Sequence, residues 1–332
     1  MIMISLAEVI AYIADLNRTD TFYELDDKYF FHSHNLINCS FGATSEFYFV
    51  ATGRRQLKDT TVNLAEEYYN ILNPVEAYIA SDTSNTKINS SKDISSFIRH
   101  GRLRWRFEQP DEPMSFYVRG VEPGLKRFEP SHIDFSCLID AANFALGGSL
   151  YYNFYLNKLN ENVDDYIKLF KNTCEKLRSS YAVSGISLLY GTYSSIQPEL
   201  CYPIYKIFPG LVYADVNGFR LETQKREDVI RDVNWLTAVG SIILEKHPSI
   251  VKAAERPPAG VIVHRYDTGV IFQAGARPMI GDANFDDVPP AYKAVNRILR
   301  PARFEEYRGP YLRVPDIVDG NAATREWITR FD

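Results

Sequence analysis

Residues 261–273 read Val-Ile-Val-His-Arg-Tyr, Asp-Thr-Gly, Val-Ile-Phe-Gln: two β-prone runs joined by a short polar turn. So short a connection folds the chain straight back, so the runs pair antiparallel as a hairpin. A parallel pair would need a crossover of about a dozen residues or more. A second hairpin is predicted at 102–119. Leu103, Trp105 and Phe107 alternate with Arg102, Arg104 and Arg106, a Gln-Pro-Asp-Glu-Pro turn follows, and 114–119 returns as the partner strand.

Buried strands are predicted at 46–50, 149–156 and 183–190. Helical spacing runs from Leu57 to Leu72, and again over 162–177, with Asn162 in the N-cap position. Ser5 and Glu8 form a capping box that opens the first helix. Further helices are predicted over 235–245 and 292–300, the latter entered through Pro289-Pro290 and stopped by Pro301. The polar stretch 81–96 reads as a loop. Strands and helices mix without regular β-α alternation, so the expected class is α+β, with antiparallel β-sheets and packed helices. The strand–loop–helix unit of 45–72 is echoed at 149–177, which suggests two similar lobes, 1–145 and 146–332, within one domain over 1–332.

Charge narrows the partners. Lys and Arg number 37 against 42 Asp and Glu, giving −5. A non-specific nucleic-acid binder would carry a basic excess, because affinity follows the number of phosphates neutralised. The one basic stripe, Arg102 to Arg106, reads as solvated or carboxylate-paired. Cysteines stand at 39, 137, 174 and 201, too scattered for a zinc ribbon or a redox C-x-x-C, and they read as reduced core residues. The N-terminal apolar run is broken by Glu8 and Asp15 with no basic residue ahead of it, unlike an export signal. No apolar run reaches the roughly 18 residues of a membrane span. The expectation is a cytoplasmic chain with no membrane or direct nucleic-acid contact.

Catalytic signatures are missing. The sequence holds no Gly-rich phosphate loop and no G-x-S-x-G elbow. His32-Ser33-His34 has a ligand-like spacing with Asp26 or Asp27 nearby, though two hydrogen-bonded loop histidines explain it more simply. The run Asp282-Ala-Asn284-Phe-Asp286-Asp287 opens like a calcium loop. It then has Asp287 where the turn needs glycine and Lys293 where a bidentate Glu belongs. Asp286 or Asp287 is expected instead to cap the 292–300 helix. Glu222 and Lys225 are three apart and would face opposite sides of a strand; Asp26-Asp27-Lys28 has nuclease-like spacing but no supporting motif.

One region resembles a known family. Gln273-Ala-Gly275-Ala-Arg-Pro278-Met-Ile-Gly281-Asp282, then Pro290-Ala-Tyr292, then Leu299-Arg-Pro301-Ala-Arg303, is similar to the C-terminal signature of the type VI secretion immunity family of TsiV type. Trp235-Leu-Thr-Ala-Val-Gly240 matches that family's W-L-x-x-L-G segment, taken as a helix, and 181–187 matches its central strand. The specific likeness covers about 180–305. It implies a cytoplasmic, cofactor-free inhibitor that binds and neutralises a cognate toxic effector, a nuclease with a basic surface, by occlusion and without catalysis. Gly275, Pro278, Gly281, Asp282, Tyr292, Pro301, Arg303 and Trp235 are expected to hold the fold rather than choose the effector, and no interface residue is assigned. Two alternatives compete: a metal-dependent hydrolase built on His32, His34 and Asp26 or Asp282, and an assembly component of the secretion apparatus.

Overall fold

The computed structural model describes residues 5–27, 29–33, 36–81, 84–140, 145–191, 198–223 and 226–332. The capping box forms: Glu8 N–H donates to Ser5 Oγ at 3.3 Å and Ser5 N–H to Glu8 Oε2 at 2.6 Å. It opens α1 (Leu6–Arg18). Then come β1 (Tyr29–Ser33), β2 (Leu36–Phe49), α2 (Arg54–Leu72), β3 (Ala77–Ser81), β4 (Ser84–Ile88), α3 (Ser91–Ser95), α4 (Arg104–Glu108), β5 (Met114–Gly120), β6 (Asp134–Ile139) and β7 (Gly148–Phe154). The chain continues with α5 (Leu156–Glu161), α6 (Val163–Leu177), β8 (Tyr181–Tyr190), α7 (Pro198–Ile207), α8 (Val216–Thr223), β9 (Leu236–Gly240), α9 (Ser241–Lys246) and α10 (Pro248–Glu255). It closes with β10 (Val261–Tyr266), β11 (Gly269–Ala274), α11 (Pro290–Leu299) and α12 (Gly320–Ile328).

The fold is α+β, as expected, but the strands join one sheet. Its order is β10-β11-β9-β8-β2-β7-β6-β5-β3-β4, with β1 added on β2, eleven strands among the described residues. The named strand pairs are all antiparallel. Long β2 lies near the middle, with Glu46 opposite Tyr151 on β7 and Val183 on β8.

Register decides which face is apolar. Ile79, Val118, Phe135, Tyr152 and Phe47 fall on one side and are all buried. Helices α2 and α6 cover that side. Tyr68 packs against Phe135 and Tyr152 at ring separations of 5.6 and 5.5 Å, and Phe170 against Phe47 at 5.1 Å. On the other side α8 shields the central strands, with Phe219 edge-on to Tyr48 and Tyr181.

Four sequence expectations are corrected. Residues 104–108 form helix α4, not a strand, and β5 pairs with β3 and β6. Leu103 and Phe107 are four apart, so one helical face buries both while Trp105 stays 60% exposed. Arg104 and Glu108 make the i,i+4 ion pair a helix permits. The polar stretch 81–96 holds edge strand β4 and helix α3; an edge strand at the sheet margin tolerates polar residues on its exposed positions. The 235–245 segment is strand β9 followed by short α9; β9 is buried on both faces, so its apolar run carries no alternation. Finally, α11 starts at Pro289-Pro290 with no side-chain cap, so neither Asp286 nor Asp287 caps it.

Candidate functional site

Of the residues that carry the resemblance, Trp235, Gly275, Pro278, Gly281, Asp282 and Tyr292 lie about the segment that follows β11, and Arg303 lies against the C-terminal region. Trp235, fully buried at the head of β9, donates its indole N–H to Gly275 O at 3.2 Å. Pro278 O accepts from Tyr23 OH at 3.2 Å, which ties the N-terminal region to this turn. Tyr292 on α11 is buried and its hydroxyl accepts from Met279 N–H at 3.0 Å. Asp282 Oδ1 accepts from Asn284 N–H at 3.0 Å. Arg303, just past the turn that holds Pro301, donates to Asp332 at 2.6 and 3.0 Å, to Glu305, and to Ile328 O.

Two glycines of the segment after β11 have left-handed backbones, Gly275 at φ +87° and Gly281 at φ +65°. They differ in surroundings. A methyl at Gly275 would meet only Arg277 O, at 3.7 Å, whereas at Gly281 it would press on Asp287 O and lie 2.8 Å from Pro289 Cδ. Gly275→Ala should therefore cost about 1 kcal/mol and Gly281→Ala about 3 kcal/mol, measured by urea unfolding. Equal costs would contradict the crowding at Gly281.

The side chains of His32 and His34 lie outside the described residues, as do Lys28 and Lys225. Asp26 is used elsewhere: its oxygens accept from Leu156 N–H at 2.6 Å and Asn157 N–H at 2.8 Å, capping α5 from a distant segment. No group of three or more His, Cys, Asp or Glu among the described residues could hold a metal ion.

Asp26 leads to a residue that the sequence did not flag. His132 is buried, with Nδ1 2.8 Å from Glu122 Oε1, Nε2 2.7 Å from Phe41 O, and Asp26 3.6 Å away. Burial works against its charge, but Glu122 and Asp26 outweigh burial and raise its pKa. A raised histidine contributes stability that is complete below the ordinary value of about 6.5 and is lost as pH rises through the folded value. Unfolding free energy should therefore fall as pH rises above the ordinary histidine value of about 6.5, and His132→Gln should flatten that fall. An unchanged slope would contradict this.

Opposite the helices, the sheet is only partly covered. Tyr117, Ser136 and Tyr151 stand side by side across β5, β6 and β7, all half-buried. With Ser115, Ser149 and the start of α8 they line a depression of about 360 Å³. Tyr151, Val216 and Asn217 continue into a second depression of about 220 Å³, bounded by Thr44, Glu46, Asp134 and Asp215. Together they form one trough.

Its floor is charged. Asp134 pairs with Arg119, whose Nε donates at 3.1 Å, and Glu46 accepts from Arg231 at 2.6 Å. Each carboxylate has one oxygen left over: Asp134 Oδ1 and Glu46 Oε1 are buried and meet no hydrogen-bond donor among the described residues. Burial pushes both carboxyls up, against the pull of Arg119 and Arg231 respectively. The trough thus offers tyrosine rings, hydroxyls and unused acceptors, which suits recognition of a donor-rich surface.

Comparison with known proteins gives the family and the fold. The family described as TsiV, type VI immunity for VRR-NUC, matches residues 154–331, over half of the chain. Among solved structures, the Pseudomonas aeruginosa T6SS protein PA0821 shares the fold, with a TM-score of 0.73 at 16% identity, covering 97% of this chain and 90% of that one. No curated protein matches. The match takes in Trp235 and the whole 275–303 signature, and the chain belongs to the TsiV family of type VI immunity proteins for VRR-NUC.

Proposed function

We propose that this protein neutralises a VRR-NUC nuclease effector of type VI secretion by binding it one-to-one in the cytoplasm and occluding its DNA-binding surface, without turnover. The observation that carries this reading is the family match over 154–331. Charge supports it: a nuclease must present basic residues to phosphates, and a chain of net charge −5 complements such a surface. Occlusion needs no catalytic residue, only a surface that fits the effector, and the reading is supported by the broad antiparallel sheet of the described residues.

The test is a titration of effector nuclease activity against this protein. Stoichiometric inhibition gives a linear loss of DNA cleavage that reaches zero at equal molar amounts. Substoichiometric inactivation would point to an enzyme acting on the effector, and undiminished cleavage at excess would remove the reading.

A further inference from the structure

The immunity reading leaves open which face meets the effector, and the inference here rests on that reading. The apolar side of the sheet is occupied by α2 and α6. The other side is closed over β2 and β8 by α8 but leaves Tyr117, Ser136 and Tyr151 half-buried across β5, β6 and β7. Tyrosine and serine at neighbouring positions supply contact area and adaptable hydrogen bonds at low entropic cost, as in antibody paratopes.

The floor specifies what should enter. Among the described residues Asp134 Oδ1 and Glu46 Oε1 are buried without a donor, and Asp215 adds a third carboxylate at the rim, with Oδ1 taken by Gly218 N–H at 2.8 Å. A buried acceptor left unpaired is costly, so the depression favours any group that brings N–H donors and positive charge. A nuclease concentrates such groups, lysine and arginine, where it grips DNA.

We propose that the trough between β5–β7 and the start of α8 is the effector-docking surface, and that a Lys or Arg side chain from the effector's DNA-binding cleft enters the depression at Glu46 and Asp134. The occupant is thus a basic protein surface, not nucleic acid and not a second copy of this chain.

The test measures Kd for the full chain against a catalytically inactive VRR-NUC effector by calorimetry. Asn217→Arg changes an exposed trough residue at the start of α8 and Ser136→Arg a half-buried one on β6. Glu175→Arg makes a similar change on the exposed face of α6, across the sheet. Thermal melts confirm that each variant is folded, and Asn217→Arg, being exposed, keeps the test alive should Ser136→Arg fail to fold.

The expected result is a loss of about 100-fold for each trough variant, from like-charge repulsion, and under about 3-fold for Glu175→Arg. Wild-type binding with unchanged trough variants would overturn the docking face and leave the immunity reading standing. Wild-type protein that fails to bind would remove both. A trough variant that abolishes self-association or DNA binding, but not effector binding, would assign the face to another occupant and overturn the proposal.

Discussion

Arg231→Met is expected to destabilise the protein by about 3–5 kcal/mol, the largest effect of any single substitution considered for this fold. Arg231 is fully buried, reaching Glu46 at 2.6 Å, Asp232 at 3.0 Å and Tyr311 OH at 3.1 Å. Asp232 in turn accepts from Arg330 at 2.9 Å and from Tyr181 OH at 3.1 Å, and Glu46 accepts from Tyr48 OH at 3.0 Å. The network ties central strands β2 and β8 to the 228–235 segment and the C-terminal region. Burial opposes the Arg231 charge, yet Asp232 and Glu46 hold its pKa well above the usual value. Burial likewise opposes ionisation of Asp232, and Arg231 with Arg330 pulls it below the usual range. Removing the arginine leaves Glu46 uncompensated in the interior. Adding Glu46→Gln to Arg231→Met should therefore recover part of the loss, because the penalty lies in the orphaned charge rather than in the missing bond. A urea melt within about 1 kcal/mol of wild type for Arg231→Met would contradict this. The same network underlies the trough, so Glu46 serves stability through one oxygen and the proposed docking through the other.

The second large effect is expected at Arg303, where Arg303→Met should cost about 3 kcal/mol. Its side chain is almost wholly buried and holds Asp332, Glu305 and the Ile328 carbonyl, joining the turn after α11 to the end of α12. Hydrogen bonding by Arg303 is the main reason that the Asp332 carboxyl is held down at about 2. A carboxyl depressed in the folded state contributes stability that is present above its ordinary value of about 3.9 and is lost as pH falls toward about 2. Acid unfolding should therefore steepen between about pH 4 and pH 2, and Asp332→Asn should remove that component. If Asp332→Asn and wild type lose stability in parallel over this range, the ion pair does not act as described.

Much of the fold is legible in the sequence because local periodicity and tertiary burial agree. Helices α2, α6 and α11 have apolar spacings that match one buried face each, and the two-residue turn after Tyr266 folds β10 back onto β11. The errors fall where one pattern serves two structures. Leu103 and Phe107 satisfy both an alternating strand and one face of a helix, and only the 60% exposure of Trp105 separates the two. Strand β9 is buried on both sides, so Leu236 to Gly240 shows no alternation and reads as helical. The residues from Trp235 to Tyr292 are visible through family resemblance and their contacts lie about the segment after β11, whereas those of Arg303 lie with Glu305, Ile328 and Asp332. The trough was not visible, since Tyr117, Ser136 and Tyr151 meet only through strand register, and Glu46 meets Arg231 across 185 positions. His132 carries no spacing motif, and its partners Glu122, Phe41 and Asp26 come from separate segments.

Binding to the effector is the most direct measurement. Calorimetric titration of the wild-type chain into a catalytically inactive cognate VRR-NUC effector should give one molecule per molecule at a Kd of about 1 nM or tighter, the range of dedicated inhibitors. Absence of binding at both low and high salt would contradict the immunity assignment for this chain.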